Sequence, residues 1–73
     1  MSTTTVPSHV RLANEIAVQF HHHAPDHAAA EIAAHMRSFW EPRMLTALLA
    51  HVDAGGAGLD ELAVRAAELL RNR

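Results

Sequence analysis

The sequence contains no cysteine, no lysine and no tyrosine, and only one tryptophan, two phenylalanines and three glycines among 73 residues. Without cysteine there is no disulfide to staple a small fold and no Cys-type zinc centre. The six basic residues are all arginine and are outnumbered by eight acidic ones, giving a formal net charge of -2 with histidine neutral. That balance argues against a general nucleic-acid binder, which needs a basic face. No apolar run approaches the roughly 18 residues that would mark a membrane-spanning helix. The opening Met1-Ser2-Thr3-Thr4-Thr5-Val6 lacks the basic and apolar regions of a signal peptide, so a cytoplasmic setting is expected. No segment alternates with period two, no repeat recurs, and no linker is long enough to divide domains.

What the chain does have is alanine and histidine. Fifteen of its residues are Ala, so an apolar fraction of 49% overstates the core. A single small domain over 8–73 is expected, after a disordered polar tail at 1–7. Domains of this size bury only about 60% of their extended-chain surface, and a lone core supplies roughly 3–5 kcal/mol. With no staple present, stability is expected to draw on a partner or on self-association.

Spacing predicts an all-α domain of four short helices, over about 9–22, 25–40, 42–54 and 60–71. Ser8 is a candidate cap for the first, whose apolar side is Leu12, Ala13, Ile16, Ala17 and Phe20, with Arg11, Asn14 and Val18 pointing elsewhere. His21-His22-His23-Ala24-Pro25 ends it. In the second, Ile32, Ala33, Met36, Phe39 and Trp40 share a side, while Ala28-Ala29-Ala30 is expected to raise helix propensity more than to build core. The third carries Met44, Leu45, Leu48, Leu49 and Val52 and is stopped by Gly55-Gly56. Asp60 is the expected N-cap of the fourth, with Leu59 and Val64 as a hydrophobic staple. Its inward face is Leu62, Ala63, Ala66, Leu69 and Leu70, and Arg71 and Arg73 suit its C-terminal dipole.

The chain is organised around Phe39-Trp40-Glu41-Pro42-Arg43-Met44. The residue before a proline is pushed out of the α region, and proline is a good first helical residue. The stretch therefore reads as a sharp corner between helices two and three, with Glu41 as a weak cap and packing as the main hold. A helix-turn-helix reading fails, because past Arg43 the third helix offers no basic residue and no Asn or Gln for base edges. Gly55-Gly56-Ala57-Gly58 is a helix stop, not a phosphate loop: no strand precedes it and no Lys-Ser/Thr follows. His27, Glu31 and His35 run along one flank at i, i+4 and i+8. They lack the His-Glu pairing of a zincin and a ligand from another helix, so a solvated flank is expected. His21–His23 is the kind of exposed cluster that takes up metal adventitiously. No nucleophile, base and orienting group come together in the pattern.

Three blocks carry a family resemblance covering most of residues 10–70. They are Arg11-Leu12-Ala13-Asn14-Glu15-Ile16-Ala17 with Phe20, then Ile32-Ala33-Ala34-His35-Met36-Arg37-Ser38-Phe39-Trp40-Glu41-Pro42-Arg43-Met44, and finally Leu48-Leu49-Ala50-His51 with Gly55-Gly56-Ala57-Gly58-Leu59. Together they resemble the delta subunit of the cytoplasmic, NAD-dependent, molybdenum- or tungsten-containing formate dehydrogenases. Three features depart from that pattern: Glu41 where Asp is more usual, Asp60-Glu61 where a Pro is expected, and the His21–His23 tract. The resemblance implies a non-catalytic accessory subunit holding no cofactor of its own. Its partner is the catalytic (alpha) subunit of a complex that carries molybdopterin, iron–sulfur clusters, FMN and the NAD site, and its role is stability, assembly or cofactor insertion. The residues expected to meet that partner are Phe39, Trp40, Arg43, Met44, His35 and His51, the plainer alternative for His35 and His51 being a ring packed at the core edge and bonded to a carbonyl or acid. A self-associating helical module using the same apolar stripes is the alternative.

Overall fold

The structure is a computed structural model, and it describes residues 7–71. Four helices follow in order, α1 Ser8–Val18, α2 Pro25–Phe39, α3 Pro42–Asp53 and α4 Glu61–Arg71, with no strand among the described residues. The expected all-α, four-helix architecture is therefore found. The expected tail at 1–7 lies outside the described residues apart from Pro7. Arg73, read as a complement to the α4 dipole, lies outside them as well.

Two α1 boundaries differ from expectation. Ser8 is not the cap: Pro7 holds that position, without any side-chain bond, and its carbonyl accepts from the Val10 and Arg11 amides at 3.0 Å each. The helix also stops at Val18 instead of continuing to 22. Residues 19–23 go on as tight turns, with Phe20 N–H donating to the Ala17 carbonyl and His23 N–H to that of Phe20. Pro25 holds Ala24 in extended backbone (ψ 137°), so no regular helix runs on into α2.

At the centre of the fold α2 packs chiefly on α4, while α1 touches all three other helices. α2 and α4 lie side by side and run the same way. Pro25 and Leu62 line one shared cleft, Asp26 pairs with Arg65, and Ala29 and Ala30 line a second cleft with Glu68 and Leu69. Alanine makes this seam close. Ala28, Ala29 and Ala33 of α2 and Ala63, Ala66 and Ala67 of α4 are all buried, and small side chains let helix axes approach toward the short end of the usual 8–10 Å range. The expectation that Ala28 and Ala29 add little core is thus corrected; only Ala30 of that run is exposed. The larger fully buried side chains are Ile32, Met36, Leu48 and Val10. Trp40, Leu45, Leu49, Val52, Ile16, Phe20 and Leu59 pack around them half-buried.

Two residues assigned to the inward stripes are exposed. Leu69 is 42% exposed, on the rim of the α2–α4 cleft. Phe39 is 76% exposed although it follows Ile32 and Met36 along the same side of α2. Phe39 is the last residue of α2, where the chain turns off through Trp40 into the corner.

α3 closes with a Schellman arrangement. Gly55 N–H donates to the Val52 carbonyl at 3.0 Å and Gly56 N–H to that of His51 at 2.9 Å. Gly55 sits at φ +118°, backbone that side-chain-bearing residues rarely adopt, which is why a glycine stands there. Asp60 caps α4 as expected, its Oδ1 accepting from the Leu62 amide at 2.9 Å.

Candidate functional site

The corner between α2 and α3 is built as the proline dictates. Glu41 is extended (φ -69°, ψ 149°), Trp40 is extended too (φ -90°, ψ 143°), and Pro42 opens α3. The Trp40 amide still donates to the Met36 carbonyl at 2.9 Å, so α2 ends without waste. The Glu41 carbonyl accepts from the Met44 and Leu45 amides at 2.9 and 3.1 Å, but its side chain caps nothing. Packing holds the corner, through the half-buried Trp40, Met44 and Leu45.

Outside that packing stand Phe39 and two cations. The Phe39 ring lies 4.9 Å from the His35 ring, centroid to centroid, one helical turn earlier on the same side. Arg37 and Arg43 are exposed and form no ion pair among the described residues. The other described arginines all have acid partners: Arg11 with Glu15 at 3.4 Å, Arg65 with Asp26 at 3.4 Å, and Arg71 with Asp53 at 2.7 Å. Of the residues expected to meet a partner, His35, Phe39, Trp40, Arg43 and Met44 belong to this corner. His51 does not. It lies near the far end of α3, where its Nε2–H donates to the Ala57 carbonyl at 2.7 Å and its ring meets that of His9 edge-on at 5.9 Å.

That far end holds the polar network which sequence reasoning missed. Asn14, expected to point away, reaches across to the loop before α4. Its Nδ2 donates to the Gly58 carbonyl at 2.8 Å, and its Oδ1 accepts from the Asp60 amide at 2.7 Å. His21 Nε2 donates to Asp60 Oδ2 at 2.6 Å. The available signal was an amide residue beside the Ala13–Ala17 stripe in mid-helix, a place where Asn is a poor helix former unless its side chain has work to do. Next to this network an open cleft of about 380 Å³ is lined by His21, His23, Pro25, Asp60, Leu62 and Arg65. His21 and Asp60 are bonded to each other there, and Glu61 also lines the cleft.

His27, Glu31 and His35 lie along an exposed flank of α2. Among the described residues no three histidines or acids gather in a way that could hold a metal ion. No helix of the described residues is long and apolar enough to cross a membrane.

Compared with known proteins, the chain matches the family model of the NADH-dependent formate dehydrogenase delta subunit, FdsD, over residues 9–67. No curated protein and no solved structure matches it.

Proposed function

The chain belongs to the family of NADH-dependent formate dehydrogenase delta subunits, and from that premise we propose that it is a non-catalytic accessory subunit docking on the catalytic subunit through the α2–α3 corner. The observation that carries this reading is Phe39. It is a large apolar ring, 76% exposed, at the end of a stripe that is otherwise buried. Covering such a ring stabilises a complex by about 1.5–3 kcal/mol. Trp40 and Met44 are half-buried in the same corner, and the His35 ring extends the aromatic surface by one turn. Arg43 supplies a planar fork of donors that can bind carbonyls or a carboxylate with defined orientation.

In this role the subunit performs no chemistry. It holds the catalytic subunit in a stable form competent for assembly or cofactor insertion. The molybdopterin with its molybdenum or tungsten, the iron–sulfur clusters, FMN and NAD belong to the partner complex, and the setting is the cytoplasm. His51 is given a positioning role inside this chain, fixing the loop after α3 through the Ala57 carbonyl.

The test is a tag-free pull-down of the native chain from its source cells, with mass spectrometry of what remains bound. A large molybdopterin and iron–sulfur subunit in fixed ratio is expected. Recovery of the chain only as an oligomer of itself, from cells making the enzyme, would overturn the proposal in favour of a self-associating module.

A further inference from the structure

We infer that the partner surface covering Phe39 also covers His35 and takes its ring as neutral imidazole, so that docking weakens as the pH falls below neutral. This rests on the docking role proposed above and adds the chemistry of the other side.

Contact carries the first step. The His35 and Phe39 rings lie 4.9 Å apart, centroid to centroid, with their planes tilted by 37°. At that spacing the two side chains touch and present one surface. Phe39 is 76% exposed and His35 is exposed beside it. A surface that closes over the phenyl ring therefore takes water away from the imidazole as well.

The second step is that nothing in the described chain holds a charge on His35. His21 and His51 each bond a ring nitrogen internally, to Asp60 and to the Ala57 carbonyl. His35 takes part in no ion pair and no side-chain hydrogen bond among the described residues. The charged groups of the two helices that meet at the corner are Glu31 and Arg37 on α2 and Glu41 and Arg43 at the start of α3, and neither acid pairs with it. α4 packs on the buried side of α2, where its Glu68 lines a cleft with Ala29 and Ala30 instead. Removing water from a histidine with no acid beside it disfavours the charged form. An apolar cover suited to Phe39 brings no acid of its own.

The pH dependence follows by linkage. Histidine changes charge between about pH 5 and pH 8. Above that range the ring is neutral in the free and the docked chain, and affinity has its full value. As the pH falls, the free chain gains a proton that the docked chain excludes, and affinity falls with it.

The experiment uses the full chain and the catalytic subunit purified from the same source without its delta chain. Binding is measured at about pH 8 and about pH 5.5, on either side of the ordinary histidine midpoint near 6.5. The native chain should bind about tenfold more weakly at the lower pH, which lies about one unit below that midpoint. His35→Phe keeps a ring against Phe39 but has no proton to gain, and it should bind equally at both. His27→Gln, two turns earlier on the same flank, should keep the native dependence. Phe39→Ala should weaken binding by about tenfold or more even at the higher pH. Helix content by circular dichroism at both pH values checks that each variant is folded. Native binding that is level with pH, or tighter in acid, would overturn the neutral cover while leaving docking intact. So would a His35→Phe variant that keeps the native loss. No binding by the native chain at the higher pH would overturn the docking role itself.

Discussion

The two ends of this small bundle are finished differently. At the α1–α4 end the loop 54–60 is bonded from three sides. Asn14 holds Gly58 and Asp60, His51 holds Ala57, and His21 holds the Asp60 carboxylate that also caps α4. At the α2–α3 corner no side chain caps the helix, two arginines pair with no acid among the described residues, and an aromatic ring faces solvent. The contrast teaches where the chain is complete in itself and where it is open. Polar bonds are concentrated where the fold must close on itself. The corner, which relies on packing alone, leaves Phe39, Arg37 and Arg43 exposed.

The comparison can be broken first at the core both ends share. Leu48→Ala, at a fully buried position, should cost about 2–5 kcal/mol by urea unfolding and lower the stability of the whole bundle. A cost below about 1 kcal/mol would mean that the two ends do not depend on one core. Next comes the bonded end. Asn14→Ala removes the bonds to the Gly58 carbonyl and from the Asp60 amide, and should cost about 1–2 kcal/mol while leaving affinity for the catalytic subunit unchanged. A matching loss of affinity would show that the ends are coupled. Gly55→Ala forces a side chain into backbone at φ +118° and should destabilise by about 1 kcal/mol, seen as a lower thermal midpoint. The smallest effect on stability is expected at the corner. Phe39→Ala should change unfolding by no more than about 0.5 kcal/mol, in contrast to its effect on docking. A large loss of stability there would place Phe39 in the core after all.

Much of this was legible in the residues. Pro42 announces the corner, Gly55 ends α3, and Asp60 begins α4, because each has a local backbone reason that needs no knowledge of the rest of the fold. The apolar stripes identified Ile32, Met36 and Leu48 correctly. Periodicity could not show how far each stripe is covered. Phe39 has the right phase for burial, and its exposure depends on what packs over the last turn of α2, a non-local fact. Leu69 fails in the same way, at the rim of a seam whose closeness comes from alanines that a hydrophobicity count undervalues. The Asn14 contact lay further out of reach, since nothing local says which loop 44 to 46 residues away its amide will meet. At the site, sequence gathered His35, Phe39, Trp40, Arg43 and Met44 because they are neighbours in the chain. It added His51 from a shared block, and in the fold His51 serves the other end.

The long reach of Asn14 bears on the order in which contacts can form. Drawing together residues some 46 positions apart costs about 3 kcal/mol of chain entropy before any constant is added. Two hydrogen bonds return about 1 kcal/mol each after their exchange with water. The clasp therefore cannot assemble from an open chain on its own account. It closes only after Val10, Ala13 and Ala17 have seated α1 against the other helices, when most of the ordering cost has already been met by burial. Asn14 is thus a latch on a door that apolar contact has already shut, which makes the seating of α1 the event that fixes the loop and, through Asp60, the first turn of α4.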